Sequence, residues 1–346
     1  MVSRFLDSRF RGNDRFFSVV SLAMIAMLLF AAPDAGAAKG NYAQRDDVRQ
    51  FISEMAERHG FTRRALNRLF SRAQYQGAIV RAMTTPAEAP VKSWQAYRAL
   101  FVNRERIEAG LRFRERHAGA LARAEREFGV HADIVVAILG VETLYGRNMG
   151  TYRVMDALTT LAFDFPRRGE YFRSELEEFL LNAREAGVNA LDVRGSYAGA
   201  IGIPQFMPGS FRRFALDYDG DGQRDLNQSA VDAIGSVANF LKAHGWEAGL
   251  PVAAPAQVSG ESYRKLADAG IKPQYRVADL QAFGVGTAEL LPQEAACALI
   301  ELETPGQPPE YWVGLQNFYA LTRYNRSSFY AVAVIELARA LAQGIP

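Results

Sequence analysis

Cysteine is nearly absent. The 346-residue chain has one, Cys297, so no disulfide can close within it. Cys297 sits in the apolar run AACALIEL with no histidine nearby, which reads as a buried, inert thiol rather than a nucleophile. Histidine is scarce too. His59, His117, His131 and His244 are scattered and form neither an HExxH pair nor part of a cysteine-linked zinc pattern. Zinc-hydrolase and cysteine-hydrolase chemistry are set aside on these grounds. An excess of either charge is also missing. The net charge is +2, and it falls to +1 without residues 1–37, which hold four arginines and three aspartates. Nothing in that balance calls for nucleic acid or an anionic membrane surface as partner. The arginines from Arg104 to Arg116 alternate with glutamate, as on a solvated helix face. There is no internal repeat and no low-complexity segment.

What is present is an ordinary globular balance, 49% hydrophobic and 23% charged, on a length that suggests roughly two structural units. Arg4, Arg9, Arg11 and Arg15 precede an apolar run from Phe16 to Ala32, and Ala35-Gly36-Ala37 follows with small residues. This reads as an export signal over residues 1–37, cut after Ala37. An uncleaved anchor is the alternative, because the run approaches the shortest spanning length. No cysteine follows the run to accept a lipid, and nothing later reads as a membrane span. The expectation is a soluble periplasmic protein.

Helical periodicity runs from Asp46 to about Gly129. Val48, Phe51, Ile52 and Met55 share one face of a first helix ending at Gly60; Phe61 to Phe70 is a second. TTPAEAP around Pro86 and Pro90 is a loop, and a long charged helix pattern covers about Ser93 to Phe128. His131 to Tyr145 is almost wholly apolar from Ile134 to Val141, the mark of a buried helix, with Gly146 as its expected C-terminal cap. Helical patterns resume at Val154–Phe163, Glu170–Glu185 and Val231–His244. Leu250 to about Pro309 turns to short strands, and the chain returns to helix at its end.

Four clusters carry chemistry. Glu142 closes the most apolar helix; lost hydration there raises a carboxyl pKa and suits it to donate a proton to a leaving oxygen. Its position alone fits equally a glutamate facing water at a helix end. The segment GSYAGAIGIPQFMPGSF holds Ser196, Tyr197, Gly199, Gly202, Gln205, Phe206 and Met207. Glycines there let backbone approach a ligand, Gln205 offers an amide, and Tyr197 and Phe206 offer flat faces for sugar rings. A tight helix–helix connection is the plainer reading. The segment NFYALTRYNRSSFY concentrates Asn317, Tyr319, Arg323, Tyr324, Asn325 and Tyr330, either as a polar wall or as a partly buried amphipathic helix. Finally, Asp217, Asp219 and Asp221 stand at alternate positions with Gly222 sixth, as at the start of a calcium loop. The twelfth position is Gln228 instead of glutamate, so Asp225 or Asp232 must complete any such site; an Asp/Gly turn is the other reading. Under both readings the element is structural.

GVETLYG, GSYAGAIGIPQFMPGSF, DYDGDG and NFYALTRYNRSSFYAVAV, in this order, resemble the membrane-bound lytic transglycosylase B family of peptidoglycan-cleaving enzymes, from about Asp47 onward. The resemblance implies a mainly α fold: a lysozyme-like helical catalytic core with a flanking helical domain and a small mixed α/β module. The corresponding division is an N-terminal helical domain over 38–130, completed by 331–346; a catalytic core over 131–250, completed by 311–330; and the small module over 251–310. The resemblance implies Glu142 as acid and then base. It implies Ser196, Gln205 and Phe206 holding sugars, with Tyr324, Asn325 and Tyr330 as the cleft wall. Arg167 and Arg168 would meet the stem peptide. Calcium would be held by Asp217, Asp219, Asp221, the Gln223 carbonyl and a distal carboxylate such as Asp232. No cofactor is implied for catalysis, and calcium is a structural ion. Glycan strands are the expected partner, with the protein a monomer.

Glycosidases ordinarily use two carboxylates, and no second one in these motifs looks like a nucleophile. Intramolecular attack by the muramic C6 hydroxyl would then close a 1,6-anhydro ring without water. A lysozyme-type hydrolase, a non-catalytic peptidoglycan-binding protein and a calcium-responsive binding protein are the competing readings.

Overall fold

The computed structural model describes residues 41–84 and 93–344; the expected export segment and most of the TTPAEAP loop lie outside the described residues. The fold is mainly helical. Its first half holds α1 (Asp46–His59), α2 (Arg63–Arg72), α3 (Gly77–Thr84), α4 (Trp94–Phe101), α5 (Arg104–Arg116), α6 (Ala118–Phe128) and α7 (Ala132–Thr143). There follow α8 (Val154–Asp164), α9 (Gly169–Glu185), α10 (Pro208–Phe214), α11 (Ala230–Ala243), the short α12 (Arg264–Ala267), α13 (Gln316–Tyr324) and α14 (Ser328–Gln343). A small ribbon pairs β1 (Tyr152–Arg153) with β2 (Arg194–Gly195). An antiparallel sheet orders its strands β4-β6-β7-β3-β5, from β3 (Ala253–Val258), β4 (Tyr275–Arg276), β5 (Val285–Thr287), β6 (Ala296–Leu302) and β7 (Glu310–Gly314).

The apolar face expected of α1 is the one it buries: Val48, Phe51, Ile52 and Met55. Three expectations are corrected. The charged pattern from Ser93 to Phe128 is three helices rather than one. Asn103 breaks it, its side chain accepting from the Arg106 amide as an N-cap, and His117 breaks it again. The C-terminal run is likewise split, by Ser327 capping α14 through the Tyr330 amide. And α7 stops at Thr143, before Gly146, with Leu144 in the left-handed conformation.

Apolar packing falls into three clusters. The largest joins α4–α7 to α11, α13 and α14, with Val135, Ile138, Leu139, Val332 and Val334 wholly buried along the α7–α14 crossing. Full burial of such side chains stabilises by about 1.5–3 kcal/mol each relative to exposure. A second cluster packs α1–α3 against α8 and α9. The third lies on one face of the sheet. Strand alternation divides the sheet between clusters: Ala298, Ile300 and Trp312 face the main core, while Cys297, Leu299 and Val313 face the small one. Both faces are thus covered, which explains the nearly unbroken apolar run of β6. Arg339 on α14 anchors the sheet by donating to the Ala253 carbonyl at 3.1 Å and pairing with Glu289 at 2.9 Å.

Candidate active site

Glu142 lies in the last turn of α7, where ten residues of the helix are buried. The side chain is half-buried and its carboxyl is desolvated. That desolvation pushes the pKa from 4.5 up to about 7, against the opposing effect of a hydrogen bond from Tyr330. The Tyr330 hydroxyl donates to Glu142 Oε1 at 2.7 Å. Tyr330 starts α14, so the crossing of α7 and α14 sets this contact. No second carboxylate among the described residues contributes to the titration of Glu142. The group is a lone acid in an apolar wall, near its midpoint at neutral pH.

Tyr324 stacks beside Tyr330 with rings 6.3 Å apart and 9° from parallel. Its hydroxyl donates to the Pro204 carbonyl at 2.5 Å, which ties the end of α13 to the Ile201–Phe206 turn. Gln205 in that turn has φ of 52°. Its Nε2 donates to Gly202 O at 2.9 Å and to Met149 O at 3.2 Å. Its Oε1 is buried with no protein partner. The amide is therefore fixed with its acceptor oxygen unpaired by protein.

Other residues singled out by sequence behave differently. Tyr197 and Phe206 are expected as flat faces for sugars, yet they are 4% and 2% exposed. Tyr197 packs in the α1–α3, α8, α9 cluster, and Phe206 sits behind Tyr324 and Phe240 at ring distances of 5.9 and 5.6 Å. Their rings serve the core because neighbouring helices cover them. Glycine is used for close approach, but to protein: a Cβ on Gly202 would collide with the Leu226 carbonyl, and one on Gly199 with the Leu158 side chain. The Ser196 hydroxyl accepts from the Ala200 amide at 3.0 Å and so shapes the turn. Asn325 accepts from the Ser327 amide at 3.2 Å, and Asn317 is wholly buried, bonding the Glu247 and Leu250 backbone. Arg167 is exposed. Arg168 lies over the Tyr171 ring at 4.3 Å and is near enough to Arg326 for their charges to repel; burial, and then that repulsion, lower its pKa.

Three side chains were missed. Tyr97 on α4 is buried, its hydroxyl has no protein partner, and burial and then the Glu142 charge push its pKa up. Tyr145 wedges between α5 and α7, its hydroxyl donating to Arg106 O at 3.0 Å. Phe240 on α11 backs Tyr324 at 4.9 Å. Tyr97 and Phe240 lie in ordinary helical patterns with no local signal, whereas Tyr145 stands in the GVETLYG motif, which could have marked it.

Asp217, Asp219 and Asp221 are exposed, and one oxygen from each falls within 4.8 Å of the others. Three converging carboxylates repel one another unless a cation lies between them, and oxygen donors suit a hard cation such as calcium. Gln223 follows in the seventh position, its amide donating to Asp221 Oδ1 at 2.8 Å. Asp232 stands apart. It is wholly buried and accepts from the Tyr218, Asp219 and Asp225 amides at 2.7, 3.2 and 2.8 Å. It holds the loop's frame, and it lies outside the group of three whose oxygens converge.

Comparison with known proteins finds close relatives over most of the chain. A family model described as Transglycosylase SLT domain matches residues 43–339. The membrane-bound lytic murein transglycosylase B of Escherichia coli is 41% identical over 311 residues, covering 88% of this chain and 84% of its own. The soluble lytic transglycosylase SltB1 of Pseudomonas aeruginosa superposes with a TM-score of 0.81 at 47% identity, covering 86% of this chain and 98% of that one. The E. coli lytic transglycosylase Slt35, solved in complex with calcium, gives 0.80 at 39% identity over 91% of this chain and 99% of that one. With a family model matching most of its length and relatives at 39–47% identity, the chain belongs to the membrane-bound lytic murein transglycosylase B family.

Proposed function

We propose that this chain is a peptidoglycan lytic transglycosylase that breaks the MurNAc-β-1,4-GlcNAc bond and leaves 1,6-anhydro-MurNAc ends, with Glu142 as its acid/base. The observation that carries the reading is the solitary, desolvated carboxyl of Glu142 held by Tyr330. A hydrolase of the two-carboxylate type needs a partner acid, and none acts on Glu142 among the described residues. Protonated, Glu142 gives its proton to the departing GlcNAc oxygen as the C1–O bond breaks. The MurNAc acetamido oxygen stabilises the charge left on C1. The carboxylate then takes the proton of the MurNAc C6 hydroxyl while O6 bonds C1. Atoms balance without water, and the tethered hydroxyl avoids most of the entropic cost of a second molecule.

In the same reading the unpaired acceptor of Gln205 takes a sugar donor, Tyr324, Asn325 and Ser196 maintain the wall and floor of the cleft, and Arg167 and Arg168 face stem-peptide carboxylates. Calcium belongs with Asp217, Asp219, Asp221 and the Gln223 carbonyl; when bound it neutralises the carboxylates and stiffens the turn before α11. The N-terminal segment exports the protein to the periplasm, where it acts as a monomer on glycan strands. The three-unit organisation is part of the proposal, with the small module over 251–310.

Mass analysis of fragments released from purified sacculi tests the chemistry. Anhydro ends, without label from heavy-oxygen water, are expected; labelled reducing ends sink the lyase reading. Glu142→Gln should reduce turnover on the order of 10² to 10⁴-fold; full activity in that variant would leave only a different acid.

A further inference from the structure

Backbone strain in this protein is concentrated beside Glu142. Among the described residues, only Leu144, Tyr145 and Gln205 are non-glycine residues with positive φ, at 51°, 61° and 52°. Two follow the acid directly, and the third lies in the facing turn. Side chains of this kind hold left-handed backbone only where their surroundings over-determine it. The surroundings here meet at one hydroxyl. Thr143, 1% exposed, donates to the Ile203 carbonyl at 2.7 Å and accepts from the Gly146 amide at 2.9 Å. The first bond reaches the turn that carries Gln205. The second closes the turn that ends α7. Around it, the Thr143 carbonyl accepts from the Asn148 amide at 2.9 Å. Tyr324 grips the next carbonyl of the same turn, Pro204, at 2.5 Å. The turn after Glu142 is pinned on its other side by Tyr145, whose hydroxyl lies where a Cβ on Gly110 or Gly140 would stand.

We infer that Thr143 is a positioning residue for the reaction: its hydroxyl joins the strained turn behind Glu142 to the strained turn bearing Gln205, so that one hydrogen-bonded junction sets the acid and the sugar-facing amide relative to each other. The inference rests on the acid/base role proposed for Glu142. Thr143→Val keeps the shape and removes the hydroxyl, leaving the Ile203 carbonyl and Gly146 amide unpaired. Displacement of a catalytic group by about 1 Å costs as much as 10²-fold in rate.

The test uses full-length protein on soluble glycan strands, with kcat, KM and the pH dependence of kcat/KM measured for each variant. For Thr143→Val, kcat should fall by about 10- to 100-fold with KM changed less than about threefold, and the pH limb belonging to Glu142 should move. Thr143→Ser, which restores a hydroxyl, should recover most of the rate. Should Thr143→Val fail to fold, Tyr145→Phe loosens the same turn from its other side and should show the same kcat and pH effects at smaller size. Unchanged kcat and pH limb in a folded Thr143→Val, or a serine variant no better than valine, overturns the inference. So does an unaffected Tyr145→Phe where the valine variant is lost. Full activity in Glu142→Gln would instead overturn the acid/base reading and leave the junction a matter of structure.

Discussion

At the scale of single residues, the chemistry and the stability of Glu142 oppose each other. Desolvation holds its pKa at about 7, against 4.5 for a free glutamate. The native state therefore keeps a proton that the unfolded chain releases. Below pH 4.5 both states are protonated and the group contributes nothing. As pH rises from 4.5 through 7 the unfolded state gains, until burial of the carboxyl costs about 3 kcal/mol. Glu142→Gln should thus be strongly impaired in turnover yet more stable than the native protein at pH 8, with the difference vanishing near pH 4; equal melting at both pH values would show that the carboxyl is well solvated. Activity of the native protein should decline above neutral pH as the acid deprotonates. Tyr330→Phe removes the bond that opposes the upward shift. Its pH limb should move further up and its turnover should fall about 10-fold, the measure being a pH profile of kcat/KM.

At the scale of elements, the site depends on how closely helices approach. The α5–α7 crossing is made by two glycines, Gly110 and Gly140, that leave room for the Tyr145 ring. Arg106 reinforces it, with Nε donating to Gly140 O at 2.8 Å while its own carbonyl accepts from Tyr145. Gly140→Ala adds a methyl where the phenol stands. We expect a loss of about 1–3 kcal/mol from overpacking, together with a drop in turnover, because the strain falls on the turn behind Glu142. Denaturant unfolding and steady-state rates check both; a neutral effect would mean that the crossing is slack. Helix lengths also explain a sequence-level error. Asn103 and Ser327 are N-caps inside what reads as continuous helix. A polar residue on a solvated face and a cap are the same letter in a sequence, and the chain's path decides between them.

At the scale of the molecule, the aspartate loop ties α6 to α11. Arg123 on α6 bonds the Tyr218 carbonyl at 2.9 Å and lies over its ring at 3.8 Å, and Asp232 at the start of α11 holds the loop's backbone. An ion bound there stabilises the whole fold by mass action, about 2.7 kcal/mol at a hundred times its dissociation constant. Added calcium should raise the melting temperature, chelator should reverse it, and Asp219→Asn should abolish the response. A melting curve indifferent to calcium would reduce the loop to an Asp/Gly turn.

The sequence by itself determined the family, the mainly helical class, the buried α7 helix with its terminal glutamate and the converging aspartates, because each is written in a contiguous stretch of residue types. The tertiary structure decided what lies around them. Tyr330 is 188 residues from Glu142 along the chain, and Tyr97 and Phe240 come from separate helices. Periodicity shows that a face is apolar, but not which face it will meet. Tyr197 and Phe206 look like sugar platforms until neighbouring helices cover them, and Asp232 proves to be the frame on which three backbone amides of the aspartate loop hang. The same local chemistry serves core, frame or cleft, and only packing, through the solvent it removes and the partners it supplies, assigns the use.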